Sequence, residues 1–300
     1  MYTFDYLRPA SLSEALGILA EFGEDAVALA GGQSLMILLR QGLARPEVLV
    51  GLRGIDALAG VQVHGGVMTL GAMTAYAAVA SHPEVRSRAP VLGRAAACVG
   101  SVHIRHRGTV GGSVCHADPA GDVPTVLLAC RAELVVAGPD GQQERPRAEE
   151  FFTGLFETRL GSGQLLTAIE IGTQPGGATF GYRRFSFRPG EYPMCVAAVR
   201  LDWEDGHCAA ATIGLGGAGD RPQRLPVAEA KLVGVPLAEL DARHLLTGMR
   251  DQVSPPPDVR GSTTWKARVV EKVLIEAVQE AREQARLRGE PGANGGGTNG

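Results

Sequence analysis

Two glycine-rich segments of this 300-residue chain are candidate ligand-binding loops. The first is AGGQSL at Ala30–Leu35, and the second is GTVGGS at Gly108–Ser113. A Gly-Gly pair permits positive φ and leaves no side chain over the peptide N–H groups. Successive N–H groups can then converge on an anion, as in phosphate-binding nests, and Ser34, Thr109 and Ser113 add hydroxyl donors. Because a diphosphate has two negatively charged centres, the pair of loops predicts a dinucleotide.

The pair is more specific than either loop alone, since Gly-Gly after a strand is usually only a turn. The second loop is followed by DPAGD, which ends at Asp122, a side chain that can accept hydrogen bonds from a ribose or ribityl hydroxyl. Neither loop is a G-x-x-x-x-G-K-[ST] phosphate loop or a G-x-G-x-x-G fingerprint. A nicotinamide dinucleotide in a Rossmann domain is therefore disfavoured.

Titratable residues cluster around the second loop: His103, His106, His116, Asp118 and Asp122. Their spacing matches no metal-ligand pattern, so we predict no metal site and interpret His106 and His116 as loop hydrogen-bonding or solvent-facing residues. Cys115 beside His116 has no visible third partner for nucleophilic catalysis and is interpreted as a packing residue. No side chain is predicted to act as a catalytic acid or base.

Local patterns place these loops in an α+β fold. A helix is predicted over Ser11–Gly23, with a serine cap and an apolar stripe, and Gly65-Gly66 between two short apolar runs predicts a β-hairpin. Strands and helices alternate along the chain, but hairpins occur among them, which favours a mixed sheet over a doubly wound parallel one. Other strands are predicted at 27–30, 48–52, 134–137, 165–171, 196–201 and 209–215, and other helices at 35–39, 76–81, 91–99 and 263–288.

Composition excludes several classes of protein. The net charge of −3 argues against an overall basic surface for binding nucleic acid. No apolar stretch is long enough to cross a bilayer. The first residues lack the pattern of a signal peptide. The five cysteines (Cys98, Cys115, Cys130, Cys195 and Cys208) are widely spaced, which predicts free thiols in the cytoplasm and no iron–sulfur cluster in this chain.

The two loops, together with the Ile104-Arg105 pair before the second, resemble the FAD-binding medium subunit of molybdenum hydroxylases. These are enzymes of the carbon monoxide dehydrogenase, xanthine dehydrogenase and nicotine dehydrogenase type. The opening FDYLRPASLSEAL looks like the family's first helix, and EEFFTG and LLTAIEI look like the close of its FAD domain. YRRFSFRPGEY at Tyr182–Tyr192 resembles the opening of its C-terminal domain. The resemblance covers about residues 1 to 285.

The resemblance implies an FAD-binding domain of two small α/β subdomains (PCMH type), followed by an α+β C-terminal domain with an antiparallel sheet and helices. The implied boundaries are 1–173 for the FAD-binding domain, with subdomains of about 1–55 and 56–173, and 174–288 for the C-terminal domain. A composition break at Gly172–Gly177 agrees with this division. Residues 289–300 are predicted to form a disordered tail.

The same resemblance implies where FAD would be held, between the subdomains and with its diphosphate over both loops. Asp122 matches a position that holds the ribose or ribityl part, Leu166 one near the adenine, and Tyr192 one that can cover the isoalloxazine. Arg184 lies at a position where lysine is common in the family; its guanidinium keeps the positive charge but has a different shape from an ammonium group. The implied diphosphate contacts are Ala30, Gly31, Gly32, Gln33, Ser34 and Leu35 on one side, and Thr109, Gly111, Gly112 and Ser113 on the other.

In function, the resemblance implies an electron-transfer subunit. A large partner subunit with a molybdenum-pterin cofactor would hydroxylate the substrate, and a small partner subunit would pass electrons through [2Fe–2S] clusters to FAD in this chain. The FAD would then reduce an external acceptor. Two alternatives are a free-standing FAD-dependent oxidoreductase with its own substrate pocket, and a non-enzymatic adaptor whose glycine loops are only turns.

Overall fold

The chain begins with a small parallel sheet in the computed structural model, which describes residues 3–172, 178–188 and 190–290. The strand order is β1-β3-β2, with β1 at Asp5–Leu7, β2 at Ala26–Leu29 and β3 at Val48–Gly51, connected through α1 (Leu12–Phe22) and α2 (Leu35–Gln41). The Ser11 hydroxyl accepts a hydrogen bond from the Glu14 N–H (3.1 Å), and Gly23 ends α1 at a φ of 55°. The predicted first helix is therefore confirmed.

An antiparallel five-stranded sheet and the helices around it form the second unit of the described chain. The predicted hairpin is confirmed: Gly65 and Gly66 have φ of 57° and 79°, as a tight two-residue turn requires. The strands in spatial order are β4 (Val61–His64), β5 (Val67–Gly71), β10 (Leu165–Gly172), β6 (Glu133–Ala137) and β7 (Gln143–Glu144), with β8 (Phe152–Gly154) and β9 (Glu157–Thr158) as a separate hairpin. The helices are α3 (Tyr76–Ser81), α4 (Pro83–Arg88), α5 (Pro90–Cys98), α6 (Val102–Arg107), α7 (Val110–His116), α8 (Asp122–Ala129) and α9 (Ala148–Phe151).

The C-terminal unit is a four-stranded antiparallel sheet covered by helices. The long helix α12 packs against β11 so closely that a Cβ on Gly181 would lie 1.7 Å from the Ala277 carbonyl oxygen. The strands are β11 (Ala178–Phe185), β12 (Cys195–Glu204), β13 (His207–Gly216) and β14 (Gln223–Arg224), and the helices are α10 (Pro226–Leu232), α11 (Ala242–Leu246) and α12 (Thr263–Arg288). The predicted α+β class and antiparallel C-terminal sheet are confirmed.

The expectation of a mixed sheet is wrong, because parallel and antiparallel pairing occur in different sheets. In the first unit, helices α1 and α2 make the crossover connections that parallel strands need. In the other two sheets, hairpins and longer returns pair the strands antiparallel. Residues 173–177 and 291–300, where most of the predicted domain break and tail fall, lie outside the described residues.

Helix α8 joins the second unit to the C-terminal unit. All eight of its residues are buried, and it packs against both β12 and β13. A Cβ on Gly214 of β13 would lie 2.3 Å from the Thr125 carbonyl oxygen, so the absence of a side chain there is what permits this approach. One hydrophobic cluster accordingly runs from α8 into Phe180, Val196 and Ala198 of the C-terminal sheet. Within the described part of the chain, no helix is long and apolar enough to cross a membrane.

Candidate functional site

A cavity of about 920 Å³ lies where the three units meet. Its volume is near the upper end of the range of about 300–1,000 Å³ that is typical of small-molecule sites. The structure brings all of the sequence-predicted contact residues to its walls: Ala30, Gly31, Gly32, Gln33, Ser34, Leu35, Thr109, Gly111, Gly112, Ser113, Asp122, Leu166, Arg184 and Tyr192. Strand β2, predicted to be buried, is mostly half-buried because Val27 and Ala28 also line this cavity.

The first glycine loop connects β2 to α2 and presents free backbone donors. A Cβ on Gly31 would lie 2.1 Å from the Arg107 carbonyl oxygen, and Gly32 has a φ of 70°, so both positions require glycine. The Gln33 amide donates to the Gly31 carbonyl (3.0 Å). Among the described residues, the backbone N–H groups of Gly32, Gln33 and Ser34 have no protein acceptor. These donors are therefore available to an anionic ligand, as the sequence predicted for this loop.

The second glycine segment is a helix start and not a loop, which corrects the sequence-based expectation. Thr109 caps α7, and its hydroxyl accepts the Gly112 N–H (3.1 Å). The Gly111 N–H donates to the Ala72 carbonyl (2.8 Å), and the Ser113 N–H to the Thr109 carbonyl (3.1 Å). Because these N–H groups have protein acceptors, this segment forms no nest of free donors.

The glycines of this second segment serve close packing instead. A Cβ on Gly111 would lie 2.5 Å from the Ala72 Cβ, and one on Gly112 would lie 3.5 Å from the Ala30 Cβ. Gly112 therefore lies beside the residue that begins the first loop. The two glycine segments are adjacent in space, as the dinucleotide prediction requires, but their contributions differ. The first segment supplies backbone donors. The second supplies the side chains of Thr109 and Ser113, and its glycines leave space in the cavity because they have no side chains.

Asp122 is buried at the start of α8, with only 5% of its side chain exposed. It accepts a hydrogen bond from the Tyr182 hydroxyl (2.5 Å). Burial raises the pKa of this carboxyl, while the nearby Arg184 guanidinium and the Tyr182 hydrogen bond oppose the increase. Burial and the adjacent carboxylate also raise the pKa of Tyr182 far above its usual value. The pair joins α8 to β11, and no sequence signal linked the two residues.

Arg184 connects three elements around the cavity. Its guanidinium donates to the Cys98 carbonyl at the end of α5 (2.6 Å) and to the Glu191 carbonyl beside Tyr192 (2.7 Å). Its Nε lies 3.4 Å from the Asp122 carboxylate, which is ion-pair distance, but has no hydrogen-bonding partner in the described structure. Arg184 thus holds the segment that carries Tyr192 and keeps one buried donor unsatisfied at the cavity wall.

Tyr192 is half exposed, and its hydroxyl lies beside two carboxylates. About half of the residue is exposed (52%), whereas burial of the hydroxyl against Asp118 and Asp122 raises its pKa far above the usual value. Asp118 accepts a hydrogen bond from this hydroxyl and another from the Ala120 N–H (2.8 Å). Burial is the main cause that raises the pKa of Asp118. Sequence reasoning noticed Asp118 in the DPAGD motif but gave it no role.

The end of α7 forms a part of the cavity wall that sequence reasoning missed. Cys115 lines the cavity and is exposed there, so packing does not describe it. Desolvation of the thiolate form by the surrounding cavity wall raises the pKa of the thiol to about 12. His116 also lines the cavity and lies 5.1 Å from the Phe156 ring, and burial lowers the pKa of its imidazole. Phe156 has a φ of 56°, which is unusual for a bulky side chain and often accompanies a functional site.

His106 lies outside this cavity, at the exposed end of α6. It lines a second cavity on the other side of the first glycine loop. Among the described residues, no group of three or more His, Cys, Asp or Glu side chains is arranged to hold a metal ion.

Two domain families account for nearly all of the chain. Residues 2–173 match the FAD binding domain in molybdopterin dehydrogenase, and residues 180–281 match the CO dehydrogenase flavoprotein C-terminal domain. The chain therefore belongs to the family of FAD-containing medium subunits of carbon monoxide dehydrogenase-type molybdenum hydroxylases.

Individual relatives match over almost their whole length. The chain is 32% identical to the carbon monoxide dehydrogenase medium chain of Afipia carboxidovorans, covering 95% of this chain and 98% of the relative. It is also 32% identical to the 6-hydroxypseudooxynicotine dehydrogenase complex subunit alpha of Paenarthrobacter nicotinovorans, covering 93% and 96%. A solved structure of reconstituted CO dehydrogenase from Oligotropha carboxidovorans aligns with a TM-score of 0.90 at 32% identity, covering 94% of this chain and 99% of that chain.

The cavity suits the cofactor that the family binds. It offers free N–H groups from Gly32, Gln33 and Ser34 for a diphosphate, and a buried Arg184 Nε that lacks a hydrogen-bonding partner among the described residues. It also has apolar walls at Val27 and Leu166 for a flat ring. A polar centre between apolar walls is the arrangement that an elongated dinucleotide requires.

Proposed function

We propose that this chain is the FAD-carrying electron-transfer subunit of a multi-subunit molybdenum hydroxylase. The observation that carries the proposal is one cavity that combines the free donors of Gly32–Ser34 with Asp122, Arg184 and Tyr192. When bound, FAD would supply the redox chemistry. The residues of the chain bind the cofactor, orient it and restrict the access of water.

Each wall would have a separate task in holding FAD. The backbone donors of the first loop would neutralise the diphosphate, with the Thr109 and Ser113 hydroxyls opposite them. The free lone pairs of the Asp122 carboxylate would accept from a ribityl or ribose hydroxyl. Leu166 would contact the adenine. The ring of the half-exposed Tyr192 would cover the isoalloxazine, held in place by the Arg184 bond to the Glu191 carbonyl.

We infer that the rest of the redox path lies on partner subunits. A large subunit would carry the molybdenum-pterin cofactor, and a small subunit would carry [2Fe–2S] clusters that pass electrons to FAD here and on to an external acceptor. The cysteines of this chain support this division, since none has the spacing of a cluster motif. The relatives are themselves named as a medium chain and as one subunit of a complex. Because a reducing cytoplasm keeps cysteines as free thiols, we infer that the chain works in the cytoplasm.

The first test is the visible spectrum of the purified chain, followed by chromatography of the cofactor released on denaturation. We expect a two-band flavin spectrum and intact FAD at close to one molecule per chain. The informative variant is Gly112→Val, because the new side chain would meet the Thr109 hydroxyl and the Ala30 methyl. Gly138→Val is the matched control, since a Cβ there has no neighbour within 4 Å.

The outcomes separate the competing explanations. Loss of FAD in Gly112→Val with retention in Gly138→Val would support the site. A wild-type chain that stays colourless after incubation with FAD, alone and co-expressed with its partner subunits, would contradict the proposal. Full FAD occupancy in Gly112→Val would contradict the assignment of the glycine segments. Turnover of a small substrate by the isolated chain would favour a free-standing oxidoreductase.

A further inference from the structure

A second cavity, of about 690 Å³, lies on the other side of the first glycine loop. The two cavities share Ala30–Gln33, Ile37, Met73, Ile104 and Thr109, and the second opens between α2, the end of β3 and the end of α6. We call it the basic cavity, because its described lining includes Arg40, Arg53, Arg107 and His106 and no acidic residue. This composition is unusual for a chain whose net charge is −3.

The three arginines of the basic cavity are free of protein partners. Among the described residues, the guanidinium groups of Arg40, Arg53 and Arg107 form neither an ion pair nor a hydrogen bond. Elsewhere in the described chain both kinds of arginine occur: Arg94 pairs with Glu280 (2.6 Å) and Arg224 with Glu149 (2.8 Å) and Glu229 (2.6 Å), whereas Arg8 and Arg268 are unpaired. The basic cavity differs in that three unpaired guanidinium groups line one concavity. Like charges around one concavity repel one another, so the protein alone does not favour this arrangement. An anion in the cavity would compensate the charge.

Much of the remaining lining is apolar. Of the two cavities, Leu29 and Met36 line only this one, whereas Ile37, Met73 and Ile104 line both. The ring of Tyr6 is half exposed at the same cavity, and its hydroxyl lies against Gly51. An anion-binding group beside an apolar and aromatic surface fits a ligand with phosphates at one end and a flat ring at the other.

We propose that the basic cavity binds a nucleotide, with its phosphates on Arg40, Arg53 and Arg107 and its base on Tyr6, Leu29 and Met36, which do not line the FAD cavity. Planar guanidinium groups match phosphate oxygens in pairs, which makes arginine the preferred side chain for this task. A concave cavity with an apolar wall favours a small ligand over an acidic segment of another protein, which would meet the arginines at a flatter surface. The nucleotide would lie across the loop from the FAD site and separately from it.

The test is calorimetric titration of the FAD-loaded full chain with ADP, with inorganic pyrophosphate and adenosine as partial probes. We expect ADP to bind at one molecule per chain, with an affinity that falls as salt is added. Adenosine should bind more weakly, because it lacks phosphates. Arg53→Gln and Arg107→Gln should each weaken ADP binding by about tenfold or more, which corresponds to the loss of a hydrogen bond to a charged group.

The control is Arg268→Gln, on the exposed face of α12 and far along the chain from the basic cavity, which should bind ADP as the wild type does. FAD content should be unchanged in all three variants. ADP binding only to FAD-free protein, or loss of FAD in Arg53→Gln, would overturn the proposal, because the basic cavity would then belong to the FAD site. Arginine-dependent binding of a polyglutamate peptide without ADP binding would overturn it in favour of an acidic protein partner.

The two proposals fail in different ways. A chain that never retains FAD contradicts the proposed function. A chain that is loaded with FAD but binds no ADP contradicts only the nucleotide site.

Discussion

Replacing Arg184 by methionine should destabilise the protein by more than replacing any exposed arginine would. The substitution removes a guanidinium that is 14% exposed from beside a carboxylate that is 5% exposed. It also removes the donors to the Cys98 and Glu191 carbonyls. Methionine keeps most of the apolar length of the side chain, so that the loss concerns charge and hydrogen bonding more than volume.

The size of the effect follows from the carboxylate that is left behind. Breaking a buried ion pair costs about 3–5 kcal/mol, because the remaining charge has no compensation. Asp122 would keep the Tyr182 hydrogen bond, so we expect a loss at the lower end, about 3 kcal/mol. This is a large part of the roughly 5–15 kcal/mol by which a typical domain is stable. Arg183→Met is the matched control: Arg183 is 40% exposed, and its partner Glu280 keeps Arg94, so its loss should cost less than about 1 kcal/mol.

Urea unfolding followed by tryptophan fluorescence would measure both variants. Without Arg184, the pKa of Asp122 rises further, because burial is no longer opposed by the guanidinium. A carboxyl whose pKa is raised in the folded state favours folding below its usual pKa and loses that contribution as pH rises through the raised value. The destabilisation by Arg184→Met should therefore shrink in acid. It should also shrink in an Asp122→Asn background, which removes the uncompensated charge.

Two results would refute this reasoning. One is a loss for Arg184→Met that is no larger than the loss for Arg183→Met. The other is a loss for Arg184→Met that is the same with and without the Asp122→Asn substitution, because the double-mutant cycle would then show no coupling between positions 184 and 122.

Three further predictions concern other parts of the molecule. Burial raises the pKa of Asp118, so its carboxyl favours folding in acid and loses that contribution as pH rises above about 4. In urea titrations, the stability of Asp118→Asn relative to the wild type should therefore increase with pH over this range; a difference that does not change with pH would contradict this. Because the pKa of Cys115 is raised to about 12, its thiol should react with iodoacetamide at about pH 8 more slowly than a free peptide thiol. The reaction should be slower still when FAD is bound, because Cys115 lines the cavity. Mass spectrometry would follow the reaction, with Cys115→Ser as the control. Gly181→Ala should unfold at a markedly lower urea concentration, since its Cβ would meet the Ala277 carbonyl oxygen at 1.7 Å. Gly17→Ala in α1, where a Cβ has nothing within 4 Å, should instead stabilise the protein by up to about 1 kcal/mol.

Elements with strong local signals could be predicted from the sequence. Helix α1 has a serine cap and a glycine stop, the Gly65-Gly66 turn fixes its hairpin, and α12 has a helical apolar stripe over 26 residues. The helix at Val110–His116 was not predictable in this way, because Gly111 and Gly112 oppose helix formation. It forms because Thr109 caps it and Ala72 accepts the Gly111 N–H. Tertiary contacts therefore override the local preference.

The same distinction applies to the candidate site. The glycine segments were found because their residues are contiguous in the chain. The bond between Asp122 and Tyr182 joins residues 60 positions apart, and the Arg184 contact with Cys98 spans 86. Neither pair has a local pattern, since both depend on how the C-terminal sheet lies against α8. The resemblance supplied Asp122, Arg184 and Tyr192 as separate positions, and their connection is a result of the structure.

The complete burial of α8 has a consequence for the order of events on the ribosome. The helix ends at Ala129, but β12 and β13, which cover one side of it, end only at Glu204 and Gly216. Since a chain grows at about 5–20 residues per second, α8 has emerged for several seconds before that cover exists. During that interval its apolar side chains are open to chaperones and to other nascent chains. A truncation after the FAD-binding part would make this exposure permanent, so yield in the cell should depend on the last third of the chain.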